Sequence, residues 1–341
     1  MALSGNGRTL VVGDQFGRSR SSVRVWSRSP NGNWTVATKL RASKFEYGMG
    51  KLVAVSYDGR TIASELSNSE NTIVVKVWGL SAQGTWVQQL PRNGVIVEQV
   101  PSEFYATTQP LVLSGDGSTM AMSIDSNRGG VTVWKRTNVT WARQATLVGG
   151  SSKDSYVGTT LAISRDGRTL VAGSFKGVFI WRLSSKGVWD RMRPLLKGSS
   201  ILFDVALSGD GRTLAASEGG RTVSVWTYTD MRTWVQKYQA YPPLRRPLLD
   251  SFSTLKLSNN GRVLAASVIG HLEQPDYVQI MRLSSNGTWV SLGSKLISKP
   301  LPHPLAAFGI VMALSGDGLT LAVGYENEEP TGAVYVFTAG A

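Results

Sequence analysis

The chain has two histidines, His271 and His303, and Glu273 and Asp276 lie close in sequence to the first. Both sit in segments between strand-like runs that should open on the same face of the molecule. A metal-binding or acid-base cluster there is the one constellation with catalytic potential. His303 stands between two prolines, however, and His271 lies in the longest polar loop, where solvated side chains are the plainer reading. No glycine-rich phosphate loop, nucleophile elbow or zinc motif accompanies them. There is no cysteine, which excludes disulfides and thiolate metal sites. From the sequence we expect no enzymatic activity, no catalytic or metal-ligating residues and no cofactor.

Charge offers a second chemistry. The 341 residues carry a formal net charge of +13, which favours acidic partners. Arg8, Arg60, Arg168, Arg212 and Arg262 each follow the glycine of a recurring Asp-Gly or Asn-Gly pair. If those pairs are equivalent turns of a closed ring, the five arginines form an anion-binding crown on one face. Arg28, Arg136, Arg182, Lys186, Arg232 and Arg282 would decorate the same face farther out. The alternative is that each guanidinium is satisfied locally by a neighbouring Asp or by solvent, a contact worth about 0–1 kcal/mol. The opposite face would collect the variable loops, basic at 41–51 and 243–246 and acidic at 65–70 and 326–329, and dissimilar loops on a rigid frame are where binding specificity resides.

The elements that position these residues come from a repeat. Variants of the phrase Leu-Ser-Gly-Asp-Gly-Arg-Thr-Leu-Ala occur seven times, aligned on Ser4, Ser56, Ser114, Ser164, Ser208, Ser258 and Ser315, at spacings of 44 to 58 residues. That period matches a propeller blade. Each copy holds three strand-like runs, for example 205–208, 213–217 and 222–226, and six copies add a fourth such as 233–236. The Asp-Gly and Asn-Gly pairs tolerate the positive φ of a tight hairpin between the first and second runs. All eleven tryptophans occupy repeat positions, mostly as pairs such as Trp26 with Trp34 and Trp226 with Trp234; Met281 and Phe337 take the first position in copies six and seven. Packing between blades is the preferred reading of this stripe over a ligand platform.

These residues carry a resemblance. The phrase 205–216, then a glycine-bearing loop and Val-Tyr-Val-Phe at 334–337, resembles the FG-GAP-type repeats of integrin-α-like β-propellers, and so do Tyr47-Gly48, Tyr156-Val157-Gly158 and Phe308-Gly309. The resemblance implies a seven-bladed propeller. Members that bind Ca²⁺ use several acidic residues in the first loop, whereas each loop here offers one Asp or Asn; six to eight oxygens are needed, so no calcium site is carried over.

The expected architecture is therefore all-β, a single seven-bladed propeller domain over 1–341 with repeats at about 1–50, 51–108, 109–158, 159–202, 203–252, 253–309 and 310–341. The last blade should hold three strands, because only a few residues follow Phe337. Its edge, Gly332, Val334, Tyr335, Val336 and Phe337, would present unpaired backbone to an incoming strand. Met1 aligns with Met312 inside a repeat, so it need not be a native start. Asn33, Asn138 and Asn286 match the N-glycosylation pattern, but turn chemistry explains Asn there too, so secretion gains only a modest push and an organellar setting stays open. No apolar run is long enough to span a bilayer. The expected role is an interaction or scaffold module within a larger assembly, with a protein partner, and the alternatives are a lectin-like binder of anionic glycans or a basic nucleic-acid-associated subunit.

Overall fold

The computed structural model describes residues 1–14, 21–43, 46–68, 72–89, 95–99, 110–124, 129–137, 140–149, 156–175, 177–192, 202–218, 222–240, 251–270, 275–297, 308–325 and 332–339. Seven antiparallel sheets follow one another along the chain and form the blades of a propeller. Blade 5 shows the pattern: Leu202–Leu207, Thr213–Glu218, Thr222–Tyr228 and Trp234–Ala240 pair in that order. In blade 2 the first and last positions are each split into two short segments, and in blade 6 the last position is split. Blade 7 has three strands, Phe308–Leu314, Thr320–Tyr325 and Ala333–Thr338, as the repeat arithmetic predicts.

The second strands are flanked by a blade on either side and are buried on both faces. Thr119–Ser123 and Thr169–Ser174 are wholly buried, which explains their unbroken runs of small and apolar residues. Outer strands such as Trp34–Arg41 are largely open to solvent.

The hairpin phrase makes the same three hydrogen bonds in all seven copies. The serine hydroxyl donates to the Asp or Asn Oδ1 at 2.5–2.8 Å. It accepts the N–H five residues on, at 2.8–2.9 Å. Oδ1 also accepts the N–H two residues after itself, at 2.9–3.0 Å. All seven serines are fully buried. The turn glycine meets two demands. Its φ is positive, +72° at Gly59 for instance, and a Cβ there would lie 2.4 Å from Thr9 Oγ1 of the preceding blade.

The residue after each serine closes the ring, except that in blade 1 Asn6 donates while Gly5 accepts. Asn6 N–H donates to Tyr57 O, Tyr57 to Gly115, Gly115 to Arg165, Arg165 to Gly209, Gly209 to Asn259, Asn259 to Gly316, and Gly316 back to Gly5, at 2.7–3.0 Å. Seven backbone bonds thus run once around the axis and join blade 7 to blade 1.

Seven apolar clusters fill the seven junctions between blades. Trp134 and Trp141 of blade 3 pack on Val75 and Val77 of blade 2, and Trp226 with the half-buried Trp234 on Ile180 of blade 4. The tryptophan stripe is inter-blade packing. The junction of blades 7 and 1 is the thinnest: four buried apolar residues, Leu3, Leu10, Ala313 and Ala322, against seven to twelve at each of the other six among the described residues.

Candidate functional site

On the hairpin face the five arginines of the expected crown occupy one turn position and all are exposed. Four of them are also held locally. Arg60 donates to Leu80 O, and Arg168 and Arg262 each to two carbonyls at the end of their own blade's third strand, at 3.1–3.3 Å. Arg212 reaches the exposed Asp230 at 3.2 Å. Beyond this ring Arg28 bridges the 7–1 junction, with guanidinium nitrogens 3.3 Å from Thr320 Oγ1 and 3.5 Å from Thr338 Oγ1.

The same hairpins of blades 2 to 5 bring four aspartates together. Asp58, Asp116, Asp166 and Asp210 line a bowl of about 590 Å³ at the axial mouth, together with Tyr57, Arg165 and Asn259. These last three stand at the position after the serine, where the other four blades have glycine. The glycines leave the room the side chains fill: a Cβ on Gly5 would lie 1.8 Å from the Tyr57 ring, and one on Gly115 2.2 Å from Arg165 Cγ. The Arg165 guanidinium stacks on Tyr57, 3.8 Å from its centroid. Asp116 is held below its ordinary carboxyl value; burial opposes this, and hydrogen bonds from Ser114 and Ser118 with the charge of Lys135 outweigh it. This bowl is not foreseen from the sequence, although the departure from glycine at three of seven equivalent positions is visible in it.

On the opposite face, Asp276 accepts the N–H of Gly270 and that of Phe308, both at 2.9 Å. It ties blade 6 to the first strand of blade 7. His271, Glu273 and His303 lie outside the described residues, as do 243–246 and 326–329. Among the described residues no group of three His, Asp or Glu side chains comes together to hold a metal. Asn33 and Asn286 are exposed in their turns, and Asn138 lies outside the described residues.

Glu65, the first residue of the expected acidic loop 65–70, belongs instead to the strand Thr61–Asn68. It is 6% exposed, at a position that is Gly or Ser in every other blade: Gly13, Ser123, Gly173, Ser217, Ser267 and Gly324. Burial pushes its carboxyl up to about 7 against the pull of Lys51, and Oε2 has no hydrogen-bond partner among the described residues. Nearby in the same blade, Lys76 and Glu46 form a mostly buried ion pair at 2.6 Å. Burial pushes Glu46 up, and its bonds from Lys76 and Ser43 bring it below the ordinary value.

At blade 7, Ala333–Thr338 pairs only with Thr320–Tyr325 among the described residues. Ala339 N–H donates to Leu319 O at 2.8 Å, which fixes the alternation along the strand. Ala333, Tyr335 and Phe337 direct their backbone groups to the second strand, and Val334, Val336 and Thr338 direct theirs to the open side. Two side chains register the missing cover. The third-strand residues Trp78, Trp134, Trp181, Trp226 and Met281 are 2–7% exposed. Trp26 and Phe337, which flank the open position, are only half-buried.

No protein-family model matches the chain, and no curated protein matches it. Solved structures with the same fold do. The Cps50 (Swd1) β-propeller domain of Myceliophteria thermophila is 16% identical with a TM-score of 0.64, covering 99% of this chain and 96% of its own. The periplasmic gluconolactonase PpgL of Pseudomonas aeruginosa is 15% identical with a TM-score of 0.58, covering 98% and 96%. At such identities the likeness establishes the seven-bladed fold. It also corrects one expectation: this ring serves as an enzyme framework in the gluconolactonase, so a repeat that builds a scaffold is no ground for excluding catalysis, and the inference that the chain is not an enzyme does not stand.

Proposed function

We propose that the protein is an interaction module, a subunit of a larger assembly built on repeats of FG-GAP type, and that it docks a protein partner at the open edge of blade 7. The observation that carries this reading is the outward-facing backbone of Val334, Val336 and Thr338 beside two incompletely covered aromatics, Trp26 and Phe337. Strand addition to such an edge supplies affinity through main-chain hydrogen bonds. Val336→Pro removes one outward N–H and leaves the ladder to the second strand intact, since proline is tolerated where the N–H faces away from its neighbour. Affinity capture from the protein's own source should recover a partner with the wild-type chain and lose it with Val336→Pro. The same set of proteins on both baits would count against the reading.

A second reading is favoured by one observation, the five exposed arginines at a single turn position: an acidic protein or anionic glycan, or less directly a nucleic acid, bound at the crown. The carbonyl contacts of Arg60, Arg168 and Arg262 place this second.

A further inference from the structure

Six blades of this chain show what covers a third strand, and they specify the missing cover of the seventh. Each fourth strand begins with tryptophan: Trp34, Trp86, Trp141, Trp189, Trp234 and Trp289. That tryptophan pairs with the residue two past the third-strand aromatic or Met281, as Tyr228 with Trp234 and Arg136 with Trp141. In blade 7 the equivalent residue is Ala339, which makes the same bond to its second strand (to Leu319 O) as Tyr228 makes to Arg212 O.

In blades 2 and 3 the fourth strand also serves the next blade through a glutamine; blades 1, 4, 5 and 6 have Ala37, Met192, Lys237 and Leu292 at that position. In blade 3 the pairing jumps from Arg143 to Ala145 and leaves Gln144, three residues after Trp141, as a bulge. Its amide oxygen accepts Trp189 Nε1 of blade 4 at 3.2 Å. Gln89, three residues after Trp86, accepts Trp141 Nε1 of blade 3 at 3.3 Å. Trp34 of blade 1 is the tryptophan that the fourth strand of blade 7 would serve; its Nε1 has no acceptor among the described residues, a state it shares with Trp234 beside the complete blade 4, so the glutamine is taken from the pattern of blades 2 and 3.

We infer that the occupant of the blade 7 edge is an extended segment with tryptophan at its first position and glutamine three residues later, supplied from outside residues 1–341. It runs antiparallel to Ala333–Thr338, with its tryptophan opposite Ala339 and packed towards blade 6 beside Phe337. Its glutamine sits in the bulge and accepts Trp34 Nε1, and its main chain covers the outward groups of Val334, Val336 and Thr338. This rests on the edge-docking reading above and adds to it the chemistry of the partner.

The probe is a labelled peptide of the chain's own residues 140–147, Thr-Trp-Ala-Arg-Gln-Ala-Thr-Leu. Three readouts apply: binding by fluorescence anisotropy, protection of the amides of Val334, Val336 and Thr338 from hydrogen exchange, and the indole N–H resonance of Trp34. The peptide should bind, protect those three amides and shift that resonance. Replacing its tryptophan by alanine should weaken binding by about tenfold or more, and replacing its glutamine by leucine by about fivefold, with the Trp34 shift lost. Val336→Pro in the protein should abolish the protection of Val334 and Thr338, with the isolated variant's own Tm as its reference because Val336 also packs in the 7–1 junction. Because a short peptide pays its full ordering entropy, the same eight residues are also fused after Ala341 through a flexible linker; the fusion should raise Tm, and its Trp→Ala version should not. Equal effects of all peptides, or no gain in Tm with the fusion, would overturn the inference and leave the edge itself open to another strand. Protection of the three amides in the isolated protein would instead remove the docking reading on which it rests.

Discussion

At the scale of single residues, the repeat's glycines and its one buried outlier make separable predictions. Gly59 has φ +72° and a Cβ there would lie 2.4 Å from Thr9 Oγ1, whereas Gly84 has φ +79° with nothing within 4 Å. Gly84→Ala should therefore cost only the backbone strain of about 1–2 kcal/mol. Gly59→Ala must also push two blades apart and should cost about 1–3 kcal/mol more. Urea denaturation midpoints measure both, and equal losses would deny the inter-blade role. Glu65 predicts a pH dependence. Its folded pKa of about 7 lies above its ordinary 4.5, so the native state binds more protons between those values and stability falls as pH rises through that window. Glu65→Gln should lack that fall and be the more stable protein at pH 8, by up to roughly 3 kcal/mol. Parallel stability profiles for the two proteins would contradict it. The hairpin phrase was legible because Ser, Asp and Gly at fixed spacing have one joint solution. Glu65 was not, because its polar neighbours Ser67 to Asn71 resemble a loop and nothing local shows that Thr61–Asn68 is sandwiched between blades.

Among elements, strand identity follows from burial, and burial depends on which blade lies alongside. Trp181 is 2% exposed, in the junction of blades 3 and 4. Trp181→Ala should cost about 3–5 kcal/mol. Trp26 holds the same repeat position but faces a three-stranded blade, and it is only half-buried. Trp26→Ala should cost clearly less, and a loss equal to that of Trp181→Ala would mean that the 7–1 junction is as well covered as the rest. The pairing of tryptophans with strands was readable from spacing alone. The bulge that turns Gln144 towards the next blade was not, because one extra residue in a strand has no sequence signature of its own and shows only in the pairing register.

For the whole molecule, sequence periodicity was enough to place seven blades and a short last one, since every copy repeats the same hairpin and the same aromatic positions. The backbone ring from Gly5 to Gly316 was invisible in it, because any residue can supply an amide. So was the acidic bowl, whose carboxylates and Arg165 come together only when the ring closes. The exposed arginines at one turn position make one prediction at this scale. Reversing Arg60, Arg168 and Arg262 to Glu should weaken binding to a heparin column and flatten its salt dependence, as screening of surface charge requires. Unchanged elution would leave those arginines as local clasps of their own blades. The open seventh blade is tested most directly by site-resolved amide exchange on the isolated protein. The amides of Val223, Val225 and Thr227 face a fourth strand in blade 5 and should be protected, while those of the equivalent Val334, Val336 and Thr338 should exchange faster by orders of magnitude. Equal protection at both sets would contradict an open edge.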